Sequence, residues 1–81
     1  MTTLKRMFFS KGDERVKYLV KKHEGKNLIL RDDRYSENKY LSGKVVLQND
    51  DEFEIMHSKK NIERIRYDSV IEAIVDLNNL P

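Results

Sequence analysis

The stretch Tyr40-Leu41-Ser42-Gly43-Lys44-Val45-Val46-Leu47-Gln48-Asn49-Asp50-Asp51 constrains this chain more than any other. Leu41, Val45 and Leu47 fall on one face and Tyr40, Lys44 and Val46 on the other, the alternation of a half-buried strand. Gly43 interrupts that pattern, and a glycine inside a strand marks a bend, a bulge or the close approach of another backbone. Asn49-Asp50-Asp51 then ends the strand with turn chemistry. A bent strand with a turn behind it predicts a short sheet that folds over itself.

Eighty-one residues make one domain, spanning 1–81, and a chain of this size buries only about 60–65% of its unfolded surface. A deep catalytic cleft is not expected from so small a core. The chain is 38% apolar and 37% charged, but its apolar residues are clustered and periodic, as a folded domain requires. Without cysteine there are no disulfides and no thiolate metal sites, which fits a reducing compartment. No apolar run reaches a membrane span, and Met1-Thr2-Thr3-Leu4 lacks the apolar core of a signal peptide. The expected location is cytoplasmic, without membrane contact. The net charge of +2 divides unevenly: residues 1–40 hold 11 Lys/Arg against 6 Asp/Glu, and residues 41–81 hold 5 against 8. The basic half suits an anionic partner, and it equally suits a solvated surface.

Taken in order, residues 1–9 read as a basic arm or an extra strand ending in Met7-Phe8-Phe9. Ser10 followed by Asp13 predicts a helix over 11–23, with Val16, Leu19, Val20 and His23 on one face and Gly25 ending it in a left-handed conformation. Val16, Tyr18 and Val20 also alternate as in a strand, so the segment has two readings. Residues 27–77 then supply five short strands: Leu28 to Leu30, the Gly43 strand, Phe53 to Met56, a strand over 62–67, and Val70 to Leu77, whose β-branched residues favour strand over helix. The expected fold is mainly β, a helix followed by a strongly bent five-stranded antiparallel sheet.

This order resembles the Sm-like small barrel, particularly its bacterial Hfq branch, and more broadly the SH3-like barrels. Tyr40-Leu41-Ser42-Gly43-Lys44-Val45 is similar to the family's apolar-x-Gly-x-Val strand, and Asp51-Glu52-Phe53 is similar to its Asp-x-aromatic turn. Ile65-Arg66-Tyr67-Asp68-Ser69-Val70-Ile71 resembles its fourth strand and the turn into the fifth. The resemblance implies a regulatory, ring-forming RNA binder, a homo-oligomer in which fourth and fifth strands of neighbours pair edge to edge. Phe53 matches the aromatic on which the family stacks a base, and Tyr67 the tyrosine of its Tyr-Lys-His signature. Asp68 and Ser69 depart from that signature, putting a carboxylate and a hydroxyl where lysine and histidine would donate to RNA.

Single-stranded nucleic acid needs aromatic or guanidinium platforms for its bases and cations for its phosphates. Phe53, Lys59, Lys60, Arg66 and Tyr67 are the candidate rim for that task. Aromatics at strand spacing equally serve as core residues, and Lys59-Lys60 equally serves as a solvated turn. Lys5, Arg6, Lys11, Arg15, Lys17, Lys21 and Lys22 form a second basic group on the arm and helix. His23 and His57 have no ligand spacing and read as surface side chains, and Asp32-Asp33 and Asp50-Asp51-Glu52 read as turn acids. No phosphate cradle, nucleophile elbow or catalytic triad order is present, so no enzyme activity, metal or cofactor is expected. The other functional reading is a protein-interaction module, an adaptor or inhibitor, that uses exposed strand edges and the Met7-Phe8-Phe9 arm.

Overall fold

The computed structural model describes residues 3–34 and 39–76. They form β1 (Leu4–Phe8), α1 (Glu14–Lys22), β2 (Asn27–Asp32), β3 (Leu41–Leu47), β4 (Glu52–Ser58), β5 (Asn61–Arg66), a 3-10 turn (Tyr67–Ser69) and β6 (Val70–Asp76). The strands make one six-stranded antiparallel sheet in the order β1-β6-β2-β3-β4-β5. It is not closed: β1 and β5 are its outer strands. The five-stranded expectation is thus corrected to six, because residues 4–8 are a strand and not an arm. The helix stands between the first two strands. Leu77 lies outside the described residues.

Alternation along the strands builds the core. Leu28 and Leu30 of β2, Leu41 and Val45 of β3, Phe53 and Ile55 of β4, Ile65 of β5, and Ala73 and Val75 of β6 point to one side and are buried. The register carries this face across the sheet, with Leu30 opposite both Leu41 and Ala73, and Phe53 opposite Ile65. Phe9, Val16, Leu19, Val20, Tyr67 and Val70 complete the cluster.

Gly43 is where β3 and β4 press together. A Cβ placed on it would lie 2.5 Å from the Met56 carbonyl oxygen and 2.9 Å from Ile55 Cγ2. The bend read from the sequence is therefore a close approach to a neighbouring strand. Only hydrogen fits there.

The helix begins later than the sequence suggests. Gly12 has φ of 77° and Asp13 is still extended, so Asp13 and not Ser10 is the cap, its side chain accepting from Arg15 N at 3.0 Å. The Arg15 guanidinium bonds both Asp13 oxygens, Nε donating to Oδ1 at 3.1 Å and Nη2 to Oδ2 at 2.7 Å. These side-chain and backbone bonds hold the Asp13 carboxyl below the usual range. Val16, Leu19 and Val20 face the core, which settles the segment as helix, and Gly25 leaves it at φ of 76°. Gly25 N then donates to Val45 O of β3 and Val45 N donates back to Lys26 O, both at 2.9 Å.

His23 is not a surface residue. It is 2% exposed, and its Nδ1 lies 2.8 Å from the Leu19 carbonyl oxygen. A carbonyl only accepts, so the proton sits on Nδ1. The imidazole thereby fills the last core position of the helix with one polar edge satisfied.

Tyr67 is the opposite case. Its ring stacks at a tilt on Phe53, centroids 5.1 Å apart, and its buried hydroxyl has no hydrogen-bond partner among the described residues. Burial, followed by the charges of Asp50 and Glu24, pushes its pKa up. A raised tyrosine pKa contributes stability that is whole below the unfolded value, about 10, and is lost as pH climbs through the folded one. Tyr67→Phe is expected to melt at or above the wild-type temperature at neutral pH, because an unmet buried hydroxyl costs about 1–3 kcal/mol. It should also flatten the alkaline fall in stability. Thermal melts at neutral pH and above pH ~10 check both, and a variant that melts lower at neutral pH would refute the reasoning.

Candidate nucleic-acid interface

The face of the sheet turned away from the core carries a row of aromatic and charged side chains. The register sets Phe8 of β1 opposite Glu72 of β6, and Glu72 opposite Arg31 of β2. Arg31 in turn lies with its guanidinium carbon 6.0 Å from the centroid of the Tyr40 ring, just before β3. The row therefore reads Phe8, Glu72, Arg31, Tyr40 across three strands and the approach to a fourth. Phe8 is 62% exposed and Tyr40 40% exposed, so the two rings at its ends remain open to solvent.

Glu72 anchors the row. It is 1% exposed and is bonded by Arg31 Nε at 2.9 Å, Arg6 Nε at 3.0 Å and the Tyr40 hydroxyl, which donates at 3.0 and 3.1 Å to its two oxygens. An isolated buried carboxylate would be expensive. Here one negative charge is met by two guanidinium groups, so the trio keeps a net positive charge on the open face. Each bond also fixes a side chain that reaches the surface: Arg6 and Tyr40 are held by their polar ends while their remaining faces stay exposed.

Arg6, Ile74, Ile29 and Ser42 form the next row, two residues along the strands. Beside it the sheet face sinks into a cavity of about 380 Å³. Lys44 and Val46 continue the same face on β3, Lys44 opposite Met56. The register slips between Met56 and Ser58, so His57, which strict alternation would turn toward the core, is exposed and lines the cavity. A bulge commonly re-aims a side chain in this way.

The rim expected from the sequence does not assemble as one site. Phe53 is 0% exposed and Tyr67 is 7% exposed; both are core residues, and a fully buried ring has no face to offer a base. Their burial follows from the register that sets Phe53 between Leu47 and Ile65. Arg66 is exposed, with Nε donating to Asp68 at 3.3 Å. Lys59 and Lys60 are exposed in the β4–β5 turn, at the far end of β5 from Arg66. Five or more residues of strand, about 17 Å, separate them.

Phe8, Arg31, Tyr40 and Glu72 were missed as a group. Tyr40 and Lys44 were placed on one face by alternation, and Leu4, Arg6 and Phe8 alternate in the same way, but only the pairing of β1 with β6 reveals that these faces are one. On the helix, Tyr18 is also exposed, with the Lys22 ammonium 4.6 Å above its ring. Its neighbours Lys17 and Arg15 are turned elsewhere, over the rings of Tyr67 and Phe9.

Comparison of the chain with protein-family models, curated proteins and solved structures finds no match. Its fold is mainly β, with one helix and an open six-stranded antiparallel sheet. Among the described residues no helix is long and apolar enough to cross a membrane.

Proposed function

We propose that this protein is a small, non-enzymatic, cytoplasmic binder of single-stranded RNA that stacks bases on the outer face of its sheet. The observation that carries the reading is the pair of exposed rings, Phe8 and Tyr40, bracketing guanidinium groups locked in place by buried Glu72. Aromatic rings on an open sheet face, with cations between them, are the physical requirement for holding unpaired bases and their phosphates. The fold is read as an Sm-like or SH3-like small barrel extended by one strand, supported by the order β6-β2-β3-β4-β5 and the 3-10 turn before β6. In this reading the base-stacking role passes from Phe53 and Tyr67 to Phe8 and Tyr40.

A ring of the Sm kind pairs the last strand of one copy with its neighbour. Here both sides of β6 are taken, one by β2 and one by β1. An edge-to-edge homo-oligomer would therefore have to use β1 and β5.

Fluorescence anisotropy with a labelled oligouridine tests the binding. Phe8→Ala and Tyr40→Ala should each weaken it by about 5- to 150-fold, the equivalent of ~1–3 kcal/mol per stacked base. Tyr40→Phe keeps the ring and should retain more affinity than Tyr40→Ala. Affinity should fall with added salt, log K declining by about 0.7 per decade of salt for each phosphate neutralised on a single strand. Absence of binding at low salt, or binding unmoved by both alanine variants, would overturn the proposal. The exposed Leu4 and Phe8 on an outer strand favour the protein-interaction reading instead if a protein partner is lost on Phe8→Ala while RNA never binds.

A further inference from the structure

We infer that β1 is the contact through which two copies of this protein pair about a two-fold axis, joining their sheets into one. The inference stands apart from the RNA-binding reading. β6 lies on one side of β1, and among the described residues no strand lies on the other. Phe9 N donates to Ile71 O of β6 at 2.9 Å, and in an antiparallel pair successive residues turn their N–H and C=O groups alternately toward the partner and away from it. The backbone groups of Leu4, Arg6 and Phe8 therefore face the open edge.

The side chains of the same three residues fit a second copy. They share the open face of the sheet, with Leu4 61% and Phe8 62% exposed. In either direction along the strand that face runs apolar, arginine, apolar. An isologous contact needs such symmetry, because it sets residue i against j and j against i. With Arg6 on the axis, Leu4 of each copy meets Phe8 of the other, and the exposed apolar side chains cover one another. Charge opposes the pairing only where the two Arg6 side chains meet. Each is drawn off the axis toward its own Glu72, 3.0 Å away on β6, and that carboxylate offsets its charge. On the other face Lys5 stands opposite Met7 of the partner copy and lays its apolar stem along it.

The other outer strand, β5, lacks this pattern. Its open face carries Ile62 and Arg64, opposite Met56 and Glu54, and then Arg66. Turned about Arg64, each isoleucine would meet an arginine, and charged side chains are a common guard against edge pairing. A contact through β1 closes at two copies. It makes three hydrogen-bonded pairs, about six bonds at two per pair. Five residues a side are few beside the roughly 20–30 of a standard interface, so the dimer forms at high concentration and parts on dilution.

The chain has no cysteine, so single introduced thiols report the register. Position 6 would face itself in a hydrogen-bonded pair with Cα atoms about 5.5 Å apart, within disulfide reach. Positions 5 and 7 would face their own copies across more than about 7 Å, beyond it. Under oxidising conditions Arg6→Cys should be trapped as a disulfide dimer, and Lys5→Cys and Met7→Cys should remain monomers. Leu4→Cys combined with Phe8→Cys keeps Arg6 and should be trapped as well. In sedimentation equilibrium the mass of the wild type should rise toward two chains with concentration, and Leu4→Lys should stay at one. A wild-type mass of one chain at the highest soluble concentration would overturn the inference without any variant. Trapping that is equal at positions 5, 6 and 7, or strongest at 5 or 7, would overturn it too.

Discussion

Gly43→Ala should unfold this protein or lower its melting temperature by roughly 10–20 °C, the equivalent of about 2–3 kcal/mol in a domain of this size. Two effects oppose each other. Removing a glycine narrows the unfolded ensemble and on its own stabilises by about 0.4–1 kcal/mol. Against it, the new methyl would stand 2.5 Å from Met56 O and 2.7 Å from Met56 C. Those atoms are backbone in a paired strand, with Lys44 opposite Met56 and Val45 opposite Ile55, so they cannot rotate aside as a side-chain tip would. Overpacking costs about 1–3 kcal/mol and more where backbone must shift, so the clash wins. Gly25 supplies the contrast: a Cβ there meets nothing within 4 Å, but φ is 76°. Asparagine, which tolerates the left-handed region, should be accepted far better at 25 than at 43. Thermal denaturation of Gly43→Ala, Gly43→Asn and Gly25→Asn decides it, and an alanine at 43 that melts like wild type would show that the strands can part.

Glu72→Ala is expected to cost about 3–5 kcal/mol, the range for breaking a buried ion pair by removing one partner. The loss comes mainly at Arg31, whose side chain is 17% exposed and would lose its bond to Glu72. Arg6 is 58% exposed on its side chain, and water replaces most of what it loses, so its share is within the 0–1 kcal/mol of a surface pair. Glu72→Gln retains shape and an acceptor for Tyr40 and should fall between wild type and alanine. Arg6→Ala should cost far less than either. Urea titration resolves differences of this size, and a Glu72→Ala midpoint near that of Arg6→Ala would show that Glu72 is not the anchor of the row. On the proposed function, the same variant should also weaken binding of the oligouridine probe, because the Tyr40 ring loses the bonds that hold its hydroxyl.

The strands were legible where alternation is strict and one face is buried. Leu41, Val45 and Leu47 point inward as the pattern says, and so do Phe53, Ile55 and Ile65. The limits of α1 were less legible, because a cap depends on φ and ψ at Gly12 and Asp13 and not on residue type alone. Residues 4–8 were ambiguous for a physical reason: none of the five is fully buried, so no two-residue period of burial had to be written into the sequence. The site was least legible of all. Phe8 and Tyr40 are 32 residues apart in sequence, and what joins them is Glu72, a charged residue in a run that otherwise reads as plain apolar alternation. The sequence leaves Phe53 readable as rim or as core and Phe8 as part of an arm or an extra strand; only the register puts Phe53 inside and Phe8 on the open face.

The strand order also dictates when the sheet can be completed. β6 is the last strand along the chain, yet it lies between β1 and β2. Before β6 docks, β2 to β5 can already pair with their neighbours in sequence and α1 can cover them. At that moment β1 has no hydrogen-bonding partner, and Arg31 has no Glu72. Non-local pairing of this kind is slow relative to hairpin closure. The aromatic row therefore depends on β6 being in place: the same strand that ties β1 to the fold brings Glu72 to Arg31.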